Sequence, residues 1–484
     1  MPVQPRKVLH PSLEERRARG KALRKEVGPG SHAKWKPAAD RPDPVDLLEE
    51  QNLTREPDLI PVRHGRMMVS PFTFYRGAAK IMAADLKDTP RAGLDVQLCG
   101  DAHLSNFGVF ASPERTLLFD LNDFDETLPG PFEYDVKRMA ASFVIAGRNN
   151  GFSKADARAA ALGAVSSYHT AMTEFAQMRV MDIWYARTSE DDLRAALRLR
   201  EKAFVRASKA IASKQEVDAR IARTEQALDK AHTRDSLQAL SKLAEKVDGT
   251  YRIVSQPPIV VPARDLMRYY GLSGDELRQV MHEQFRRYRA TLQHDRRKLL
   301  ERFEVVDMAR KVVGVGSVGT RAFIVLLQGR DQDDPLFLQV KEATRSVLED
   351  HLPRSRYQQP GQRVVEGQRM MQAASDIYLG WTKGHQEGRF LYWRQLRDMK
   401  ASIVVEAMIP AGMALYGQLC GWTLARAHAR SGDPVAIAAY LGKSDAFDKA
   451  IVDFSERYAD QNEKDYKAFV KAVKSGRLAA QKGV

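Results

Sequence analysis

The sequence predicts an α+β protein with two lobes, in which a mainly helical lobe precedes a lobe rich in β-strands. A chain of 484 residues is too long for one minimal core. Apolar residues at three- and four-residue spacing dominate residues 61–300, which indicates helices. After residue 301, short alternating or apolar runs separated by turn residues take their place, as is typical of antiparallel strands.

Changes in composition divide the chain into four segments. Residues 1–60 are basic and contain several prolines, so we predict a peripheral N-terminal arm. Residues 61–300 are predicted to form the helical lobe, with a charged helical hairpin inserted at about 189–250. Residues 301–400 form the predicted β-rich lobe, and 401–484 are predicted as helices that pack on the helical lobe.

Individual elements follow from local patterns. Ser12 and Glu15 have the spacing of a capping box, and Ser70-Pro71 is typical of a helix start. The hydrophobic pattern predicts strands at 95–98, 117–121 and 390–396, three strands across 303–341, and helices at 134–148, 153–181, 273–301, 417–429 and 435–473, with a further helix that contains Val364, Val365, Met370 and Met371.

The balance of charges limits the class of partner. Lys and Arg number 76 against 62 Asp and Glu, a formal charge of +14 that favours anionic partners. No motif for a specific nucleic acid is present. Only two cysteines occur, and no apolar stretch is long enough for a membrane span, so we expect a cytoplasmic protein without a disulfide framework.

An acidic cluster follows the two strands predicted at 95–98 and 117–121. Carboxylates placed close together repel one another and persist mainly where a cation neutralises them. The cluster therefore predicts a metal site, and its candidate ligands are Asn106, Asp123, Asp120 and Asp125.

The spacing within this cluster fits phosphoryl transfer. That reaction uses a carboxylate to orient the nucleophile, with an Asn and an Asp to hold Mg²⁺ against the phosphates. Asp101 and Asn106 are five residues apart, and Asp123 begins Asp-Phe-Asp after the second strand. If Asp120 is the primary ligand, Asp123 takes the supporting role. His103 either positions the substrate or is a satisfied structural histidine.

A glycine-rich segment lies about two hundred residues downstream. Gly314, Gly316 and Gly319 satisfy G-x-G-x-x-G, with Ser317 between them. A dinucleotide-binding fold needs a helix after the third glycine, but a strand-like run follows here and a further strand delivers Lys341. This order is that of a kinase nucleotide lobe, so the glycines and the lysine are predicted to bind ATP phosphates.

A lysine that contacts phosphates is commonly held by a carboxylate of the next helix. Glu366 lies in the predicted helix after Lys341 and is the candidate for this ion pair. Glu342 and Glu349 are the alternatives, and each of the three glutamates is equally compatible with a position on a helix or strand surface.

Several phrases of the sequence resemble known families. GDAHLSNF resembles the catalytic loop of aminoglycoside phosphotransferase-type kinases, and DFDE followed by YD resembles their metal-binding Asp and the Asp of the next helix. SPFTFYRGAA, LCGDAHLSNFG, FDLNDFDETLPGPFEYDVKRMAAS and VVGVGSVGTR closely resemble the bacterial domain-of-unknown-function family 2252, over about residues 60–450.

These resemblances imply a bilobal protein-kinase-like fold with helical insertions. They imply Asp101 as the catalytic Asp, Asn106 and Asp123 as metal ligands, and Asp135 as the residue that steadies the catalytic loop. The glycine-rich loop and Lys341 follow the catalytic loop here instead of preceding it, so the fold is predicted to be circularly permuted.

The predicted function is therefore that of an ATP- and Mg²⁺-dependent phosphotransferase whose acceptor, a small molecule or a protein, is not identified by the sequence. A metal-dependent phosphoesterase and a catalytically inactive nucleotide-binding regulatory protein are the alternatives. Under the first prediction, Lys341 and Glu366 lie across a cleft from Asp101 and Asp123, and the helix around 421–430 packs beside the Asp101 loop.

Overall fold

The computed structural model describes residues 9–195, 226, 229–233, 236–396, 399–400 and 403–483. Over these residues the fold is α+β, as predicted, and every pairing between its strands is antiparallel. In the same part of the chain, no helix combines the length and the apolar composition that a bilayer crossing requires.

The first helices pack onto the end of the chain. The capping box at Ser12 forms as predicted, with Glu15 accepting from the Ser12 backbone N–H at 2.6 Å. Arg41 bridges the buried carboxylates of Asp85 and Asp465, each at 2.6 Å. The segment predicted as a peripheral arm is thus anchored to distant parts of the fold. The helices are α1 (Leu13–Glu26), α2 (Pro44–Asn52), α3 (Ile60–Met67), α4 (Pro71–Gly77) and α5 (Ala79–Leu86).

Four short strands come next and carry the acidic cluster. Strand β1 pairs with β4, and β2 pairs with β3, so the segments that follow β1 and β3 are held by their neighbours. The strands are β1 (Asp95–Leu98), β2 (Phe107–Ala111), β3 (Leu117–Leu121) and β4 (Leu128–Pro131). Helices α6 (Phe132–Asn149), α7 (Lys154–Phe175) and α8 (Val180–Tyr185) follow, and then strand β5 (Thr188–Ser189), which pairs with β3.

The predicted helical insert at 189–250 is described only in part, because residues 196–225 lie outside the described residues. Helix α9 (Ser236–Leu243) is present, but strands β6 (Ala244–Val247) and β7 (Thr250–Ile253) form a hairpin where helix was predicted. Asp248 and Gly249 between them have φ of 48° and 80°. Two consecutive positive φ angles are those of the tight turn that joins two strands, and Asp-Gly favours it.

A six-stranded sheet forms the β-rich part of the molecule. The strands predicted within 303–341 and at 390–396 are confirmed, and the order across the sheet is β12-β13-β11-β10-β9-β8. The strands are β8 (Val260–Pro262), β9 (Glu304–Lys311), β10 (Ala322–Gln328), β11 (Pro335–Glu342), β12 (Gly380–Lys383) and β13 (Phe390–Gln395). Helices associated with it are α10 (Met267–Tyr270), α11 (Gly274–Arg289), α12 (His294–Leu300) and α13 (Pro360–Met371).

The last helices complete the main core, which lies among α6, α7, α14 and α16. They are α14 (Pro410–Ser431), α15 (Pro434–Leu441) and α16 (Ala446–Lys474). A Cβ on Gly421 of α14 would collide with the backbone of Ala164 in α7, so the glycine permits close contact between these helices. The Tyr416 hydroxyl of α14 donates to the Leu104 carbonyl at 2.8 Å. Helix α14 therefore packs beside the Asp101 loop, as predicted.

Candidate functional site

The loop after β1 is held in one conformation by the start of α6. Asp135 accepts the backbone N–H groups of Cys99 at 2.8 Å and Gly100 at 3.0 Å. Gly100 has φ of 84°, and a Cβ there would collide with the Glu126 carbonyl. These contacts fix the direction in which Asp101 leaves the strand, and Asp135 is the residue that the sequence suggested would steady this loop.

Asp101 is paired with a buried arginine. The Arg138 Nε donates to Asp101 Oδ1 at 2.8 Å, and His103 Nε2 lies 3.8 Å from Oδ2. Burial raises the pKa of Asp101 to about 6, an effect that the charge and hydrogen bond of Arg138 oppose. Burial, with the charges of Arg76 and Arg138, lowers the pKa of His103 well below its usual value, so His103 is neutral at pH 7.

Asn106 and Asp123 lie on the same cavity wall as Asp101. The Asn106 amide Nδ2 donates to the Asp101 carbonyl at 2.8 Å, which leaves the amide oxygen to other ligands. The Asn106 carbonyl accepts the Asn122 N–H at 3.0 Å and so links the two loops. Among the residues that the structure describes, Asp123 Oδ1 accepts one long contact, 3.3 Å, from the Asp125 N–H. The predicted trio is thus brought together.

The glycine-rich segment forms the loop between β9 and β10. Gly314 and Gly319 have φ of 65° and 89°, a conformation that L-residues with a side chain rarely adopt. An added Cβ on Gly316 would lie 3.1 Å from the Arg76 carbonyl, so the loop approaches α4 closely. Gly314, Gly316 and Ser317 line the same cavity as Asp101 and Asp123. Loop and acidic cluster face each other.

Lys341 at the end of β11 forms its ion pair with Asp125. The Nζ atom donates to Asp125 Oδ2 at 2.5 Å, and the Tyr392 hydroxyl donates to Oδ1 at 2.6 Å. Burial lowers the pKa of Lys341, but the carboxylates of Asp123 and Asp125 outweigh it and raise the pKa above its usual value. In turn, burial favours protonation of Asp125, and the charge of Lys341 overcomes this and lowers its pKa.

Glu366 does not take the predicted place beside Lys341. Its carboxylate forms an ion pair with Arg369 one turn along α13, at 3.2 Å. The residue of α13 that reaches the acidic loop is Arg363, which donates to the Asp125 carbonyl at 2.7 Å. Asp125 lies in the loop between β3 and β4 and contacts Lys341 at the end of β11. The ion pair with Lys341 that was predicted for Glu366 is therefore formed by Asp125, which was predicted as a metal ligand.

Asp120, one of the predicted metal ligands, is held by contacts within the protein. It is 1% exposed and forms an ion pair with Arg426 of α14. Its Oδ2 accepts the Ala373 N–H and its Oδ1 the Leu121 N–H, both at 2.8 Å. Both oxygens are therefore engaged by the protein, and the side chain lines neither of the cavities beside Asp123.

Two adjoining cavities of about 550 and 480 Å³ meet at Asp123, Gly314 and Ser317, which line both. Asp101 and Asn106 line the first. The second is lined by Lys341 and by residues of β2, β11, α13 and β13, among them Phe110, Gln339, Gln368 and Arg394. Within the described ranges, no three or more His, Cys, Asp or Glu side chains are grouped so as to hold a metal ion.

Comparison with known proteins identifies a family. A model of the family described as an uncharacterized protein conserved in bacteria, DUF2252, matches residues 55–472. The chain belongs to this family. The DUF2252 match contains the Asp101 loop, Asp123, the glycine-rich loop and Lys341. No curated protein and no solved structure matches the chain.

Some residues of this DUF2252 site were not predicted from the sequence. Arg138 follows Asp135 by three residues on α6, a spacing that places both on one helix face. Tyr392 and Arg394 alternate on β13, which places both on one face of the strand. Helical and strand periodicity could therefore have grouped the residues of each pair. It could not have shown that the helix face adjoins Asp101 and that the strand face adjoins Asp125.

Proposed function

We propose that this protein is a phosphotransferase that uses ATP and Mg²⁺ and has a kinase-like, circularly permuted bilobal fold. One observation carries the proposal: Asp101, Asn106, Asp123, the glycine-rich loop and Lys341 line two adjoining cavities that share Asp123. Phosphoryl transfer requires this combination of an acidic residue, metal ligands, a loop that accommodates phosphates and a lysine.

The order of the segments supports the permutation. The Asp101 loop precedes the six-stranded sheet in the chain, yet Lys341 of that sheet contacts Asp125 two residues beyond Asp123. Helix α14 follows the sheet and contacts the Asp101 loop through Tyr416 and Leu104, which are 312 residues apart in sequence. This order of segments is the one expected of a circularly permuted kinase, in which the helix that ordinarily precedes the catalytic loop lies at the end of the chain.

The donor atoms available at Asp123 and Asn106 fit Mg²⁺. Magnesium prefers oxygen ligands and is usually held by one or two carboxylates, several waters and substrate phosphates, so it does not require a group of three acidic residues. The Asp123 carboxylate and the Asn106 amide oxygen are the two groups that would bind it. When bound, Mg²⁺ would neutralise charge on the β- and γ-phosphates.

The proposed roles of the other residues follow from their chemistry. Asp101 orients the acceptor hydroxyl and accepts its proton, and a pKa of about 6 leaves it mostly ionised at pH 7. The hydroxyl oxygen forms a bond to the γ-phosphorus, the bond from that phosphorus to the β–γ bridging oxygen breaks, and ADP leaves. Lys341 contacts phosphate oxygens, and the glycine-rich loop lets its backbone approach the triphosphate.

Two substitutions separate these roles. Asp101→Asn is expected to retain Mg²⁺-dependent ATP binding and to lose turnover, including slow ATP hydrolysis, because the residue orients and deprotonates the acceptor. Asp123→Asn is expected to lose Mg²⁺-dependent binding itself. Binding can be measured by calorimetric titration and turnover by release of ADP. Equal loss of binding in the two variants would contradict the assigned roles.

A further inference from the structure

Arg76 is a cation in the first cavity that no other group of the described chain neutralises by direct contact. It lies in α4, and its side chain forms neither a hydrogen bond nor an ion pair with a described residue. Its Nε atom is buried without a partner. Arg76 is half-buried, and withdrawing part of a charged guanidinium from water without a partner is unfavourable, so the site favours an anion that binds it.

Arg76 lines the same cavity as Asp101. Burial lowers the pKa of Arg76, and the charges of Glu406 and Asp101 oppose this effect without contacting the guanidinium, whereas Arg138 already holds Asp101 in an ion pair at 2.8 Å. His103 is 3% exposed, lines the same cavity, and its Nδ1 has no hydrogen-bond partner in the described chain. The Arg76 guanidinium, whose one described contact is with the Phe72 ring at 6.0 Å, and the neutral His103 therefore both line the cavity of the residue proposed to deprotonate the acceptor.

Residues that precede α4 hold the glycine-rich loop, which lines the first cavity. The Arg66 Nη1 donates to the Gly314 carbonyl at 2.6 Å, and the Glu56 N–H donates to the Gly319 carbonyl at 2.7 Å. The Arg55 guanidinium donates to the Val318 carbonyl. Three contacts from the segment before α4 thus hold this loop in place. The cavity of about 550 Å³ that the loop lines suits a small molecule better than an extended polypeptide.

We infer that the phosphoryl acceptor is a small molecule with a carboxylate or phosphate group, which Arg76 binds while the acceptor hydroxyl lies beside Asp101 and His103. This inference rests on the proposed phosphotransfer function and adds the substrate class to it. A planar guanidinium matches the two oxygens of such a group, and charge-assisted hydrogen bonds of this kind are the strong ones.

The first test uses inorganic phosphate as a probe, so the acceptor need not be known. The protein is saturated with Mg²⁺ and a non-hydrolysable ATP analogue, so that the γ-phosphate position is filled, and inorganic phosphate is titrated while thermal unfolding is followed. We expect phosphate to stabilise the wild type, and Arg76→Gln to weaken this binding on the order of ten- to a hundredfold. Arg76→Lys should restore part of it. The control is Arg179→Gln, because Arg179 is exposed and lines neither cavity.

Transfer assays then address the substrate class directly. Glycerate, glycerol phosphate and glucose 6-phosphate are compared with their uncharged counterparts glycerol and glucose, and with casein as a protein acceptor. Transfer to an anionic probe with a higher KM in Arg76→Gln supports the inference. Transfer to glycerol, glucose or casein that Arg76→Gln leaves unchanged overturns it, as does phosphate binding that is absent in the wild type or equal in the variant.

Two further outcomes identify which claim fails. If Arg76→Gln weakens binding of the ATP analogue much more than binding of ADP, Arg76 binds the γ-phosphate. The inference about the acceptor is then wrong, although the phosphotransferase proposal stands. If the wild type binds no nucleotide with Mg²⁺, the proposed function itself fails.

Discussion

The ion pair between the buried Lys341 and Asp125 offers a quantitative test of how the six-stranded sheet is joined to the acidic loop. Lys341→Met keeps most of the side-chain volume and removes the charge. Removing one partner of a buried pair costs about 3–5 kcal/mol because the other charge is left uncompensated. Asp125 is 28% exposed and retains its hydrogen bonds from Tyr392 and Ser317, so the free energy of unfolding should fall by about 3 kcal/mol, the lower end of that range.

A double-mutant cycle isolates the pair. Lys341→Met with Asp125→Asn removes both charges and should be about 2 kcal/mol more stable than the sum of the two single changes predicts. Urea unfolding followed by tryptophan fluorescence measures each variant. The exposed pair Lys298–Glu301, 2.8 Å apart, is the control, and Lys298→Met should change stability by less than about 1 kcal/mol. Additive effects at Lys341 and Asp125 would refute the reasoning.

Three further predictions concern the cluster around Asp101. Burial raises the pKa of Asp101 to about 6, so turnover should fall as pH drops through 6. The contribution of Asp101 to the free energy of unfolding should instead fall as pH rises from about 4 to 6, because the folded state binds this proton more tightly than the unfolded state does. A turnover rate that does not change between pH 5 and 8 would contradict the first expectation. Asp120→Asn should destabilise the fold in urea by about 3–5 kcal/mol because Arg426 loses its buried partner, without changing Mg²⁺ dependence in the folded protein. Asp135→Asn should lower kcat more than nucleotide affinity, because the new amide N–H₂ can face the backbone N–H groups of Cys99 and Gly100 that the carboxylate now accepts. An unchanged kcat in steady-state kinetics would exclude this.

The local periodicity of apolar residues was sufficient to predict most of the helices and strands. Strand β3 has the predicted bounds because Leu117–Leu121 is a short apolar run followed by polar turn residues. The hairpin of β6 and β7 was missed because its residues are charged and follow a helical stretch, and only Asp248-Gly249 indicated a turn. The packing of the N-terminal segment depends on Arg41, whose partner Asp465 is 424 residues away in sequence.

The candidate site, too, could be predicted only in part from the sequence. Asp101, Asn106 and Asp123 lie close in sequence, so their spacing was enough to group them, and the order of strands indicated that Lys341 would join them. The partner of Lys341 could not be chosen by spacing, because several carboxylates were equally compatible with that role. Only tertiary packing distinguishes Asp125, which contacts the lysine, from Glu366, which bonds to its own helix.

The most direct test of the proposed nucleotide site is a thermal unfolding titration with ATP, in the presence and absence of Mg²⁺. A ligand that binds only the folded state should add about 2.7 kcal/mol of stability at a hundredfold excess over Kd. We predict this stabilisation with Mg²⁺ for the wild type, its loss in Asp123→Asn, and its retention in the control Arg179→Gln. The absence of any shift with millimolar nucleoside triphosphate and Mg²⁺, or an equal shift in Asp123→Asn, would contradict the assignment of the cleft as a phosphotransferase site.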